Sequence, residues 1–325
     1  SGSASNNTVH ITGASIDGSV YGGEAGKGAS SKNIVTITDS TVKEVITGGY
    51  SDYSNVTSNE VKISGGNITY VVGGNAEWGN VIGNSVEISN DANIVQVYGG
   101  ITYYDDDRPS GNVINNTVTI NSGTIGEAVY GGFAYAGSVE NNIVNWKGGN
   151  ITGGLYGGFV QSSDIYRTFS GNTLNMFVAN KTVTSLDGFQ KYNFYLSNDF
   201  NLINDSAITV GKSFNTKDGT NAALALGSNI SLSYKDAIRL IVNNGGTIDE
   251  SKITYDASGM KAEAGYTILS GDKFKGSVSG DNTYVVMYIA DSEKVVFGNA
   301  DGKAPFPLGR SGDAALPYGS LASNG

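Results

Sequence analysis

The segment Asn116-Thr117-Val118-Thr119-Ile120, followed by the pair Gly131-Gly132, is one copy of a pattern that recurs along this chain. The opening asparagine recurs at Asn7, Asn33, Asn59, Asn84, Asn116, Asn142 and Asn172. The glycine pairs fall at Gly22-Gly23, Gly48-Gly49, Gly73-Gly74, Gly99-Gly100, Gly131-Gly132 and Gly157-Gly158, with spacings of 26, 25, 26, 32 and 26 residues. A repeat of this length predicts a solenoid or a repeat array.

The residues after each opening asparagine alternate between apolar and polar. Two positions on lie Val9, Val35, Val61, Val86, Val118, Val144 and Leu174, and four positions on lie Ile11, Ile37, Ile63, Ile88, Ile120, Trp146 and Met176. This alternation predicts a half-buried strand in every copy. Because a unit of about 25 residues cannot bury its own apolar face, the copies must stack in register.

The predicted fold is therefore all-β: a right-handed parallel β-helix of about seven regular coils of 25–32 residues. The right hand follows from the preference of parallel crossovers for that hand. The period decays after Asn172, and less regular strand-like runs continue the chain. We expect three parts: a repeat β-helix over 1–186, a C-terminal β cap over 187–299, and a tail or linker over 300–325, which holds three of the four prolines.

The asparagine and glycine columns predict a structural ladder at the turns. Asparagine tolerates left-handed backbone angles and its amide can pair along a stack, while glycine pairs suit corners with positive φ. The ladder is predicted at Asn33, Asn59, Asn84, Asn116, Asn142, Gly48, Gly73, Gly99, Gly131 and Gly157. Tyrosines precede four glycine pairs, at Tyr21, Tyr98, Tyr130 and Tyr156, and Thr47 and Val72 break that series. They favour a stacked structural ladder, with an aromatic platform for sugars as the alternative.

Two insertions lengthen the link between a glycine pair and the next opening asparagine. The link is 10 residues in four copies, but it is 16 after Gly100 and 14 after Gly158. Because both fall at the same corner, we expect them to protrude on one side, where repeat proteins often carry binding loops. The candidate contact residues are Tyr103, Tyr104, Asp105, Asp106, Asp107, Arg108, Tyr166, Arg167 and Phe169.

Composition restricts the classes of partner. The chain has 325 residues with 47 Gly and no Cys, and its formal net charge is -10. The negative charge disfavours nucleic acid, the missing cysteines exclude disulfides and thiolate sites, and no apolar run approaches a membrane-spanning helix. We therefore expect no nucleic-acid partner, no membrane insertion of this chain, no cofactor and no metal. Asp105 to Asp107 favour a solvated charge run over a calcium site.

The repeats resemble the passenger domains of bacterial autotransporters. The resemblance rests on copies such as Asn116–Ile120 with Val129–Gly132, on the join at Leu186–Tyr195, and on Tyr234–Ile241, which is similar to strands of such a C-terminal cap. It covers about residues 1–299 and implies a protein that crosses an outer membrane and folds at the cell surface. The membrane barrel of that family has no counterpart in this sequence.

These observations favour a non-enzymatic surface protein, an adhesin or interaction scaffold. Its partners are expected to be a protein or glycan on a host or neighbouring cell, with self-association as a further option. One alternative is a self-assembling subunit of a surface filament. Another is a polysaccharide-processing β-helix enzyme, which would need paired carboxylates in a cleft. The single histidine, His10, is expected to be an ordinary exposed residue rather than a base.

Overall fold

The structure, a computed structural model, is an all-β solenoid. It describes residues 2–103, 111–161 and 168–290, together with the backbone of two strands at 293–296 and 308–310. Stacked parallel coils form a β-solenoid of about eight turns, which confirms the predicted fold class. The chain divides into two compact units, Ser1–Asn175 with Thr182–Gln190, and Met176–Lys181 with Lys191–Gly325.

The strands of the first unit recur at equivalent positions in successive coils. The longer strands are Thr8–Thr12, Ile34–Ser51, Glu60–Ala76, Ser85–Ser89, Asn93–Tyr98, Thr117–Ile120, Thr124–Ala134, Ile143–Trp146, Gly154–Val160, Thr173–Met176 and Lys181–Asp187. Two-residue strands complete the coils: Ala4–Ser5, Ser15–Ile16, Val20–Tyr21, Glu24–Ala25, Ser30–Ser31, Val56–Thr57, Val81–Ile82, Ile101–Thr102, Val113–Ile114, Val139–Glu140, Asn150–Ile151 and Phe169–Ser170.

The core of this unit consists of like residues stacked on like residues. Val61 pairs with Val35 in one neighbouring coil and with Val86 in the other, and Val86 pairs with Val118. These side chains are essentially inaccessible to solvent. Full burial of a side chain of this size contributes about 1.5–3 kcal/mol. The predicted register of the apolar columns is therefore confirmed.

The asparagine ladder forms, but its backbone differs from the prediction. Each ladder Asn accepts, on Oδ1, the backbone N–H and the Nδ2–H of the preceding ladder Asn, at 2.8–3.1 Å, from Asn7 through to Asn172. Positive φ belongs instead to the residue before each ladder Asn: Asn6, Lys32, Ser58, Gly83, Asn115, Asn141 and Gly171. The predicted left-handed angle is therefore wrong by one position.

The predicted reason for the glycine pairs is also wrong. None of the six pairs has a positive φ. A Cβ at the second glycine would strike the ladder side chain of the same coil, as at Gly132, where it would lie 2.7 Å from Asn142 Nδ2. A Cβ at the first glycine would strike the next coil, as at Gly131, 2.7 Å from the Gly157 carbonyl oxygen. Close packing within and between coils, rather than a special turn, therefore selects glycine.

The second unit mixes parallel and antiparallel strands. Its strands are Lys191–Leu196, Ile208–Phe214, Thr220–Gly227, Ser231–Leu232, Ala237–Asn243, Ile253–Tyr255, Tyr266–Ile268, Phe274–Val278, Thr283–Tyr288, Glu293–Val296 and Leu308–Arg310, with a short 3-10 helix at Glu250–Lys252. Lys191–Leu196 pairs in parallel with the strand Thr220–Gly227. Thr283–Tyr288 pairs antiparallel with the strands on both of its sides. Within the predicted tail, Leu308–Arg310 pairs antiparallel with residues 293–295.

Candidate binding cleft

The two insertions leave and rejoin the solenoid at equivalent positions. Ile101, at the start of the first, pairs with Phe133, and Phe133 pairs with Phe159, at the start of the second. On the return, Val113 and Phe169 pair with Val139 from its two sides. Both insertions therefore begin and end at the same corner, two coils apart, as the spacing predicted.

The candidate contact residues in these insertions have different positions. Tyr103 is described and exposed, and it lies beside a cleft. Phe169 belongs to the returning strand, and its partly buried ring packs against a core cluster that includes Val139. Phe169 therefore packs into a core column, whereas the sequence predicted it as a contact residue of a protruding insertion. The others, Tyr104, Asp105, Asp106, Asp107, Arg108, Tyr166 and Arg167, lie outside the described residues.

Three of the four tyrosines in the predicted series form a stacked ladder, and Tyr21 lies apart from it. The rings of Tyr98 and Tyr130 lie 5.0 Å apart and within 6° of parallel, and Tyr156 continues the stack 4.9 Å from Tyr130. Phe133 and Phe159 stack beside them at 5.2 Å and meet the tyrosine rings edge to face. Such pairs add about 0.5–1.5 kcal/mol each beyond their buried area. One side of the solenoid therefore carries a continuous aromatic surface.

A cleft of about 550 Å³ opens where this ladder is interrupted. Between Tyr21 and Tyr98, the tyrosine position is held by Thr47 and Val72. Aromatic walls come from Tyr21, Tyr70, Tyr98 and Tyr103, and the polar groups come from Ser19, Lys43, Glu44, Asn75 and Gln96. Ligand pockets in proteins span about 300–1,000 Å³ and combine aromatic walls with a few polar groups. The cleft fits that description.

The charged groups at the mouth of the cleft have polar partners. Lys43 forms an ion pair with Asp17 at 2.7 Å, and Ser19 donates a hydrogen bond to Glu44 at 2.7 Å. Burial raises the pKa of Tyr98 and Tyr103 above the ordinary value, so these two hydroxyls stay neutral at physiological pH. Tyr21 and Tyr70 also raise the pKa of Tyr103, and all three side chains line the same cleft. The cleft thus presents neutral donors and acceptors beside the carboxylate of Glu44, which no cation compensates among the described residues.

One polar atom at the cleft has no partner. The side-chain oxygen Oδ1 of Asn75 is buried and accepts no hydrogen bond within the part of the chain that the structure describes. A buried acceptor without a donor costs about 1–3 kcal/mol. Thr47 Oγ1, at the interrupted tyrosine position, is likewise buried without a partner. The sequence contained one signal for this site, the break in the tyrosine series, but Tyr70 and Asn75 belong to other columns and carried none.

Metal-binding clusters, a catalytic histidine and membrane-spanning helices are other features that would indicate a function. No group of three or more His, Cys, Asp or Glu side chains that could hold a metal ion occurs among the described residues. His10 is exposed and pairs only with the hydroxyl of Thr12 among the hydrogen bonds found there, at 3.3 Å. Over the same ranges, no helix combines the length and the apolar character that crossing a membrane requires.

Comparison with known proteins gave no relative for this chain: no protein-family model, no curated protein and no solved structure matched it.

Proposed function

We propose that this chain is a non-enzymatic interaction scaffold of a bacterial cell surface. In this proposal it is an adhesin of the autotransporter passenger type, exported across the outer membrane, and its partner is a protein or glycan of a host or neighbouring cell. The observation that carries the proposal is the shared register of the two insertions, which start from Ile101 and Phe159 in one column. A rigid stack that holds two loops on one edge is the arrangement that repeat proteins use for binding.

The cleft supports the same proposal. It adjoins the base of the first insertion through Tyr103 and exposes aromatic rings in a molecule whose core is otherwise aliphatic-rich. Aromatic side chains are enriched at recognition surfaces because they bury a large area at a small entropic cost. The loops and the cleft therefore form one candidate contact surface of the first unit.

Shortening the insertions tests the proposal. Deletion of residues 104–109 and of 163–166 returns both links to the 10 residues of the regular copies. The deletions leave the paired strands at Ile101–Thr102 and Phe169–Ser170 intact. We expect fluorescently labelled parent protein to bind host epithelial or neighbouring bacterial cells, and the double deletion to lose most of that binding while its unfolding temperature stays within a few degrees.

The control is a matched deletion elsewhere on the solenoid. Removal of Asp91, from a turn that is one residue longer than the same turn of the neighbouring copies and lies on a corner that carries no insertion, should leave cell binding unchanged. Light scattering and negative-stain imaging of all samples exclude loss of binding through aggregation. Equal binding by the parent and the double deletion would overturn the proposal, as would absence of binding to every cell type.

A further inference from the structure

The interrupted tyrosine ladder leaves room for ligand rings. Tyr130 is covered on both faces, by Tyr98 and Tyr156, whereas only one face of Tyr98 has a stacking partner in the ladder. The other face is directed toward the preceding coils, where Val72 and Thr47 take the tyrosine position. Neighbouring strands lie about 4.8 Å apart, and Tyr98 lies three strands from Tyr21 in this column. The two positions are therefore about 14 Å apart. Two rungs of the stack therefore lack a tyrosine ring, but Thr47 and Val72 are themselves buried, so a ligand would rest against the exposed rings around them.

The surrounding rings form walls around this opening. Tyr21, Tyr70 and Tyr103 are 38 %, 39 % and 46 % exposed, so each keeps a substantial face toward solvent. They come from three different positions of the coil, and all of them line the same cleft. Exposed aromatic rings around one opening favour flat or ring-shaped ligands, because such ligands can lie against the ring faces.

The polar groups identify the class of ligand. The unpartnered Asn75 Oδ1 calls for a donor, while the amide of Gln96 and the tyrosine hydroxyls supply both donors and acceptors. Lys43 is neutralised by Asp17, whereas Glu44 keeps its negative charge while it accepts a hydrogen bond from Ser19, so the cleft disfavours an anionic ligand. Ligands that combine flat apolar ring faces with many neutral hydroxyl groups are saccharides. We propose that the cleft binds a neutral oligosaccharide, with pyranose rings packed against the tyrosine rings that line it.

This inference rests on the proposed role as a binding scaffold and gives one part of its surface a ligand class. Asn75 and Gln96 are assigned to the sugar hydroxyls. Tyr98 and Tyr103 are assigned to the ring faces. The volume of about 550 Å³ corresponds to a chain of two or three sugar rings rather than a single ring.

A substitution that fills the cleft provides the sharpest test. The substitution Val72→Tyr places a ring where the ladder already has rings in other coils, so the variant is expected to fold and to block the cleft. Binding is measured by isothermal titration calorimetry and saturation-transfer NMR with four neutral probes: maltotriose, cellotriose, chitotriose and lacto-N-tetraose. We expect at least one probe to bind the parent with a millimolar or lower Kd, and Val72→Tyr and Tyr98→Ala to weaken that binding about tenfold or more, a change of about 1.4 kcal/mol.

The matched control is Tyr156→Ala, which removes a ring of the same ladder outside the cleft. It should keep the parent affinity. Trigalacturonate, a charged trisaccharide, should bind more weakly than the best neutral probe. Absence of binding by all four probes, or binding that Val72→Tyr leaves unchanged, would overturn the inference. Shortened product in mass spectra of the bound probe would also overturn it, because the site would then be catalytic.

The proposed function and this inference fail in different ways. If cell binding depends on the insertions but not on Val72, the result supports the scaffold role and contradicts saccharide binding in the cleft. If the protein binds no cell but binds a saccharide, and Val72→Tyr abolishes that binding, the result supports the saccharide cleft and contradicts the adhesin role.

Discussion

At the scale of single residues, the asparagine ladder uses every polar atom of its side chain. Asn116 Oδ1 accepts the backbone N–H and the Nδ2–H of Asn84, at 2.9 and 3.0 Å, while its own Nδ2 donates to Val81 O and Asn142 Oδ1. All of these groups are buried, so water cannot replace a lost partner. The hydrogen bonds of the ladder are therefore the main reason why this position requires an amide side chain, and backbone conformation is a weaker constraint.

Replacement of one ladder asparagine should be strongly destabilising. Asn116→Ala leaves two buried donors of Asn84 without an acceptor, and we expect the free energy of unfolding in urea to fall by about 3 kcal/mol or more. Asn93→Ala is the control, because Asn93 is exposed and its Nδ2 contacts Asn67 Oδ1 at 3.3 Å. Its effect should stay within about 0.5 kcal/mol. A similar loss for both variants would contradict the special role of the ladder.

The glycine pairs lead to a second prediction at this scale. Gly132→Ala should be destabilising by about 1–3 kcal/mol, because the new Cβ would overlap Asn142 Nδ2 and Val139 Cγ1, at 2.7 and 2.8 Å. Gly126→Ala provides the comparison, since a Cβ there meets only the Ile94 carbonyl oxygen at 3.8 Å. Thermal unfolding of both variants measures the difference. Equal melting temperatures would show that the coils yield to the added methyl group.

At the scale of elements, the tyrosine ladder makes stability depend on alkaline pH. The pKa of Tyr130 is raised from its ordinary 10.0 to about 12, chiefly by burial and next by nearby Tyr156, while a hydrogen bond from Gln96 opposes the shift. A raised pKa means that the folded state binds the proton more tightly than the unfolded state does. The associated stability is therefore fully present below pH 10 and is lost as the pH rises through about 12.

Removal of that hydroxyl should weaken the pH dependence. In Tyr130→Phe the ring still stacks, but no proton can leave, so the fall in unfolding free energy between pH 10 and 12 should be smaller than in the parent. Urea unfolding at several pH values, followed by circular dichroism, provides the measurement. An unchanged slope would mean that Tyr130 titrates equally in the folded and unfolded states.

The sequence predicted the strands better than the turns. The columns of Val61 and Ile63 determine the register, because a slip by one residue would turn both side chains out of the core. The left-handed turn positions escaped prediction because residues of different types hold them, such as Lys32 and Ser58, and no common residue type marks the conformation. The glycine pairs were recognised correctly as structural, but contacts between coils, which the sequence does not display, give the reason.

At the scale of the whole molecule, the cleft shows why a site is harder to predict than a solenoid. A repeat reveals what the coils share, whereas the cleft arises where they differ. Val72 and Thr47 interrupt the tyrosine series, and Tyr70 and Tyr103 enter from other positions of the coil. Their convergence depends on how the chain bends at each corner, which a period in the sequence does not specify.

The stacked architecture also determines how far the effect of a substitution extends. In a solenoid each coil contacts only its neighbours, so stability is a sum of coil terms and nearest-neighbour terms. Asn59 donates directly to Asn84, at 2.9 Å, whereas Asn33 and Asn142 lie four coils apart. Hydrogen bonds in a chain polarise one another, which would extend the coupling along the ladder. These two effects make opposite predictions for distant pairs.

Double-mutant cycles decide between them, and we expect the nearest-neighbour terms to dominate. Asn59→Ala combined with Asn84→Ala should be non-additive by about 0.5–3 kcal/mol, because either substitution removes the hydrogen bond from Asn59 Nδ2 to Asn84 Oδ1. Asn33→Ala combined with Asn142→Ala should be additive within about 0.5 kcal/mol, since the sites share no partner. Urea unfolding of the six variants gives both coupling energies. Comparable coupling in the two cycles would mean that the ladder acts as one cooperative chain of amides across the coils.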